Sequence, residues 1–241
     1  MLIITHRHTA EDLEAWKDYE DIDEISSWSK YNEIQSTRIM QQFLESNKKS
    51  CIMTSWGKDS IVLLHLFVRL GIKRPVVHMR VEYRSNPDCL LVRDEFLKMF
   101  DVEYYEHEYP YWQVEASEKH WADLARRYGV RCSGIRAEES AIRSKQFELF
   151  GFSTRNSCRP LMKWRKPEIF AYIHHNNLPL NPVYGYLGGG RWRREDLRTH
   201  ALHSDADRAG SGLGRIEWER EYYGDVIARS AVMSLRKKAG E

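Results

Sequence analysis

The sequence lacks a strong excess of either charge: 37 lysines and arginines stand against 35 aspartates and glutamates in 241 residues, for a formal charge of +2. A protein that coats nucleic acid carries a broad positive surplus, so that class is excluded, while local basic patches are not. No apolar stretch approaches the roughly 18 residues needed to span a bilayer, and Met1-Leu2-Ile3-Ile4 turns polar too soon for the core of a secretory signal. The expectation is a cytoplasmic protein without membrane contact. Cysteine is sparse. Cys51, Cys89, Cys132 and Cys158 lie far apart, without the clustered spacing of zinc or iron–sulfur sites, and are expected as reduced thiols. His65, His78, His120 and His200 form no HExxH or similar ligand set, so no zinc is expected. The pattern GxxxxGK[ST] is missing too, which excludes a Walker-type nucleotidase.

What is present is a 42% hydrophobic content, enough for the core of one main domain with extensions. The chain divides into a helical extension over 1–49, an α/β domain over 50–184 and a basic, glycine-rich loop with a C-terminal helix over 185–241. In the extension, Trp16, Tyr19, Ile22, Ile25 and Trp28 recur at helical spacing, an apolar face that docks on the main domain or meets a partner or second copy. From Ser50, short β-branched runs alternate with helical segments, the pattern of a largely parallel, doubly wound sheet. Strands are expected at 51–54, 75–81, 102–105 and 130–133. Helices are expected at 61–70, through Val92, Phe96 and Met99, at 116–128 with Gly129 as its cap, and through Trp218, Tyr222 and Val226. The stretch from about Gly185 to Gly214 is poor in apolar residues and is expected to be a mobile or ligand-ordered loop.

The segment Ser55-Trp56-Gly57-Lys58-Asp59-Ser60 carries the chemistry. A strand ending at Thr54, a tight turn and a buried helix aim free backbone N–H groups at one point, an anion site. Ser55 and Ser60 add hydroxyls, and Lys58 supplies the charge that a di- or triphosphate requires. Asp59 suits two tasks, capping the helix or holding magnesium against the phosphates.

SWGKDS between a strand and an apolar helix resembles the SGGxDS pyrophosphate loop of the adenine nucleotide alpha hydrolase-like superfamily. Gly134-Ile135-Arg136-Ala137-Glu138-Glu139-Ser140-Ala141-Ile142-Arg143 is similar to the GxRxxES..R segment of its phosphoadenosine phosphosulfate (PAPS) reductase branch. Arg159-Pro160-Leu161, Trp164, 169–173 and 178–182 match a third segment in the same order. The resemblance covers about 50–187. It implies an α/β sheet that binds ATP or a related adenine nucleotide, with Lys58 and Asp59 catalytic and Ser55, Trp56, Gly57 and Ser60 around the phosphates. Met79 and Val81 would lie near the adenine, and Gly134, Arg136 and Arg143 would complete the cleft. Salt bridges from Arg136 and Arg143 to Glu138 or Glu139 are the structural alternative.

Two departures bear on activity. Trp56 stands where the family has glycine, so its side chain must point away or cover the ligand. PAPS reductases attack with a thiol near the C-terminus, and no cysteine follows Cys158 here, leaving Cys132 as the substitute nearest the cleft. The basic segment with Arg191, Arg193, Arg194 and Arg198 is a candidate lid over an anionic ligand, or a patch for nucleic-acid phosphates with Trp192 stacking on a base. The function expected is cleavage of ATP between the α- and β-phosphates, activating an unknown acceptor for sulfur transfer or a nucleic-acid-linked modification. The alternatives are a non-catalytic adenine-nucleotide-binding regulatory module, with a protein partner or as a homodimer, and a PAPS reductase with a displaced thiol.

Overall fold

The computed structural model describes residues 1–81, 84–109, 114–199, 202 and 215–239. Six strands form one sheet: β1 (Ser50–Thr54), β2 (Val76–Val81), β3 (Tyr104–Tyr109), β4 (Val130–Cys132), β5 (Ser153–Thr154) and β6 (Ser157–Cys158). Their order is β3-β2-β1-β4-β6-β5, and every neighbouring pair is parallel except the β5–β6 hairpin. Chain order runs outward from β1 in one direction through β2 and β3, and in the other through β4. The topological switch therefore lies between β1 and β4, where Ile52 pairs with Cys132. Open sheets of this kind bind ligands in the crevice at that switch.

Eight helices are described: α1 (Ala10–Ile25), α2 (Lys30–Ser46), α3 (Lys58–Arg69), α4 (Asp88–Met99), α5 (Val114–Tyr128), α6 (Ala141–Phe150), α7 (Lys166–His175) and α8 (Arg215–Ala239). Strand residues alternate between two faces. Ile52 and Val76 pack in the larger core with α3, α4 and α7, while Cys51 and Val77 meet Leu124 and Tyr128 of α5 on the other side. The doubly wound α/β expectation holds. Two boundaries moved: the third strand runs over 104–109 rather than 102–105, and α3 begins at Lys58, within the phosphate motif. Apolar alternation did not reveal β5 and β6, because two-residue strands are too short to show a period, nor α6, which buries no residue.

The N-terminal helices differ from the apolar-stripe expectation. Ile22 and Ile25 are exposed, 48% and 86%, and the inward residues of α1 are Asp12, Trp16 and Asp23. Those acids are buried because distant partners satisfy them. Asp12 accepts from the Leu187 amide at 2.9 Å and the Tyr222 hydroxyl at 2.9 Å, and Asp23 takes both terminal nitrogens of Arg194 at 2.6 Å each. Ser29 caps a separate helix, α2, so Trp28 falls between helices and packs on Tyr172 and His175. Leu2 bridges to Leu180.

The stretch 185–214, expected as a mobile or ligand-ordered loop, packs into the core at several of its described positions. Tyr186, Leu187, Arg194, Leu197 and Leu202 are buried; 200–201 and 203–214, including His200, lie outside the described residues. Gly188, Gly189 and Gly190 all take positive φ (56°, 61° and 96°), a run that other L-residues rarely adopt, and the resulting turn sends the Gly188 amide to the Tyr222 hydroxyl at 2.8 Å. This turn holds α8 in place. Tyr222 stacks on Tyr186 with ring centroids 4.7 Å apart, and the Tyr223 hydroxyl donates to buried Asp88 at 2.6 Å.

Candidate nucleotide cleft

β1 delivers the chain to the turn 55–57, and α3 starts at once, with Gly57 as an N-cap that offers no side-chain hydrogen bond. The first helix amide, that of Lys58, donates to the Tyr184 hydroxyl at 3.1 Å, and the positive end of the helix dipole faces the same space. A cleft of about 220 Å³ opens there, lined by Ser55, Gly57, Lys58 and Asp59 from the loop, and by Arg136, Glu138 and Glu139 after β4. Lys166, Tyr184, Glu195, Arg198 and Thr199 close the far side. That volume is below the roughly 300–1,000 Å³ of clefts that enclose a whole small ligand, so it suits a phosphate chain and leaves a nucleoside to extend beyond it.

Lys58 is 5% exposed. Burial disfavours its charge, but Tyr184 and Asp59 outweigh that effect and raise its pKa, so it stays an ammonium at neutral pH. Its Nζ lies 3.0 Å from Asp59 Oδ2 and 5.4 Å from the centre of the Tyr184 ring. The other Asp59 oxygen accepts from Arg136 Nε, and Arg136 in turn bonds Glu138. Burial pushes the Asp59 carboxyl up, and Lys58 and Arg136 more than reverse it, holding the group ionised. A chain of alternating charge thus runs Lys58–Asp59–Arg136–Glu138 across the cleft floor, and Glu138 continues it by accepting from the Lys166 amide at 2.6 Å. Gly134 is required by the packing of this floor, since a Cβ there would stand 2.8 Å from the Asp59 carbonyl oxygen and 3.2 Å from the Ser60 nitrogen.

Asp59 pairs with two side-chain cations here rather than capping the helix. Both its oxygens are engaged by cations, so a magnesium ion on this carboxylate would have to displace Lys58 or Arg136. Among the described residues no group of three histidine, cysteine or acidic side chains is placed to hold a metal.

The remaining expected residues separate into those at the cleft and those elsewhere. Ser55 and Gly57 line it, whereas the Ser60 hydroxyl turns back to the Gly57 carbonyl at 2.9 Å and braces the turn. Trp56 points away: it is fully buried against His78, Phe96 and Tyr104, with a left-handed φ of 56°. Met79 faces the α5 side of the sheet, and neither it nor Val81 lines the cleft. Arg143 pairs with Glu139 one turn away, the structural alternative. Arg194 is corrected as an anion contact, because its guanidinium is buried on Asp23 and stacked over Phe170 at 4.1 Å. Arg191 is paired with Glu221 at 2.6 Å, and Arg193 lies 3.8 Å from Glu195. The thiol alternative is corrected as well: Cys132 is fully buried, and burial, with Cys158 beside it, drives its pKa well up, against thiolate formation. All four cysteines are free and buried.

Arg198, expected only as part of the basic segment 191–198, lines the cleft, whereas Tyr184, Lys166, Thr199 and Glu195 were not among the residues expected from sequence. Tyr184 lies two residues beyond the segment 178–182 that carried the resemblance, which is the one signal that pointed to it.

The profile of the phosphoadenosine phosphosulfate reductase domain family matches residues 49–187. Among curated proteins, the chain is 25% identical to sulfate adenylyltransferase subunit 2 of Rhizobium johnstonii over 63% of its own length and 62% of that protein's. It is 25% identical to the protein of the same name from Allorhizobium ampelinum over 78% and 79%. The chain thus spans about three fifths of the length of the first of these relatives. Among solved structures, it is similar to Candida glabrata FMN adenylyltransferase in complex with FMN and the ATP analogue AMPCPP (TM-score 0.52, 16% identity, 73% of this chain and 68% of that one). The same enzyme in complex with ATP gives a TM-score of 0.50 at 13% identity, over 75% and 70%. At these identities the likeness is one of fold.

Proposed function

Because the chain belongs to the phosphoadenosine phosphosulfate reductase domain family, we propose that its cleft binds ATP by the phosphates and directs an acceptor to the α-phosphorus, transferring the adenylyl group and releasing pyrophosphate. The observation that carries this reading is Lys58, a buried and charged lysine at the first position of a helix whose N-terminus opens into the cleft at the topological switch. A buried ammonium finds its best counter-charge in an anion more strongly charged than the one carboxylate it shares with Arg136. Adenylyl transfer asks for alignment and charge neutralisation, and the helix N-terminus, Lys58 and Arg136 offer both to a leaving pyrophosphate. An acceptor oxygen bonds to the α-phosphorus, the bond from that phosphorus to the bridging oxygen breaks, and its electron pair leaves with pyrophosphate. The adenylyltransferase names of the curated relatives support this regiochemistry. Sulfate as the acceptor, and a second subunit as a partner, are the finer forms of the same proposal, since those relatives are named sulfate adenylyltransferase subunit 2.

The test is product analysis by mass spectrometry, with the protein, ATP and magnesium, and sulfate among the acceptors offered. AMP or an adenylylated acceptor together with pyrophosphate, absent with Lys58→Ala, is the expected outcome. ADP and phosphate would contradict it, and tight binding of ATP without turnover of any acceptor would favour a regulatory nucleotide-binding module.

A further inference from the structure

Tyr184 is the residue of the cleft whose chemistry is left unused. It is 2% exposed, its ring packs edge-on against Phe170, and it lines the cleft beside Lys58. Its hydroxyl accepts a hydrogen bond from the Lys58 backbone N–H at 3.1 Å, the first amide of α3. A phenol that accepts one bond still has a proton to donate, and no acceptor for that proton is found among the described residues. Buried hydroxyls rarely go without a partner. The hydroxyl also stands over the phosphate turn, 3.2 Å from where a Cβ on Gly57 would sit.

We propose that Tyr184 is a phosphate-contacting residue, its hydroxyl relaying the first amide of α3 to an oxygen of the bound phosphate chain. The helix amide donates to the phenol oxygen, and the phenol donates its proton to the ligand. Donation into the oxygen polarises the O–H bond and strengthens it as a donor. The Lys58 ammonium 5.4 Å from the ring centre acts in the same direction. Burial raises the pKa of the phenol despite Lys58, so the proton is present throughout the neutral range. The helix terminus therefore reaches its anion through a side chain, whereas the Ser60 hydroxyl is turned inward on the loop. An arrangement of this kind discriminates for phosphate oxygens, which accept, and against groups that can only donate.

This inference rests on the reading of the cleft as a phosphate site, and its test separates the two. Affinities for inorganic pyrophosphate, ATP and adenosine are measured by calorimetric titration for the wild type, Tyr184→Phe and Lys58→Ala, with near-ultraviolet circular dichroism as the control for an intact fold. A hydrogen bond to a charged group makes a difference of about tenfold or more, so Tyr184→Phe is expected to weaken pyrophosphate and ATP by about that factor while leaving adenosine unchanged. A purely structural role would shift all three ligands together and would overturn the assignment. Unchanged or tighter pyrophosphate binding in Tyr184→Phe, with Lys58→Ala still weakened, would overturn it in another way, showing the hydroxyl to be a competitor for the amide. Pyrophosphate affinity indifferent to both substitutions would remove the phosphate site itself.

Discussion

Trp56 shows how one side chain fixes the geometry of the loop. Its left-handed backbone is unfavourable for a residue with a Cβ, and the indole, locked among Phe96, Tyr104 and His78, holds it there. Truncation to alanine removes the indole packing and keeps the strain, while glycine removes both. Trp56→Gly and Trp56→Ala should each lose about 3–5 kcal/mol in urea unfolding, with the glycine variant the more stable by about 1 kcal/mol. Equal stabilities would mean the strain is not felt. Gly134 is the complementary case. The methyl of Gly134→Ala would meet backbone at Asp59 and Ser60, which has little freedom to yield, and is expected to cost about 1–3 kcal/mol and to weaken pyrophosphate binding measured in parallel. The sequence made Lys58 and Asp59 legible because a strand, a turn and a buried helix occupy adjacent positions. It did not reveal that Asp59 is shared between Lys58 and Arg136, because the second cation arrives from 77 residues away.

At the scale of elements, the interfaces that seat the N-terminal helices depend on ionisable groups that apolar periodicity does not register. Arg194 and Asp23 are both nearly fully buried and bonded through two nitrogens and two oxygens. Arg194→Ala leaves a carboxylate buried without its partner and should cost about 3–5 kcal/mol, whereas Arg194→Leu combined with Asp23→Leu should recover most of that loss. Chemical unfolding of the two variants checks the difference. A second polar interface joins α2, α3 and α7 through His65, whose ring nitrogen lies 2.9 Å from the Tyr172 hydroxyl. Burial, assisted by Arg69 and only partly opposed by Glu33, depresses the His65 pKa from its ordinary 6.5 to about 4. The unfolded chain binds this proton first, so the stability contribution is complete above pH 6.5 and is lost as the pH falls through 4. The melting temperature should decline over that window, and His65→Phe should flatten the decline. These elements show where sequence reading stopped: α3 and β1 declare themselves by their apolar runs, while α1 is held by Asp12 and Asp23, whose partners Leu187, Tyr222 and Arg194 lie at the other end of the chain.

In the whole molecule, the parallel sheet brings the ends of β1 and β4 together, and the segment from Asn181 to Thr199 folds back over them to supply Tyr184, Arg198 and Thr199. The sheet, the phosphate loop and Arg136 were readable because their motifs are local and ordered along the chain. Of the far wall only Arg198 was signalled, as part of a basic segment, since the other residues acquire meaning only when the chain returns to the cleft. Four cations and four carboxylates line this space, so its charge is balanced before a ligand enters, and an arriving phosphate chain must compete with Asp59 for Lys58 and Arg136. A ligand that binds the folded state alone raises its stability with concentration, so pyrophosphate at about 100 times its Kd should add about 2.7 kcal/mol, read as a rise in melting temperature. The most direct test of the central claim is the titration of ATP into the wild type and into Lys58→Ala under identical salt. A loss of affinity of about tenfold or more in the variant, with adenosine binding retained, is the result predicted for a phosphate held by a buried ammonium. Equal ATP affinity in the two proteins would contradict it.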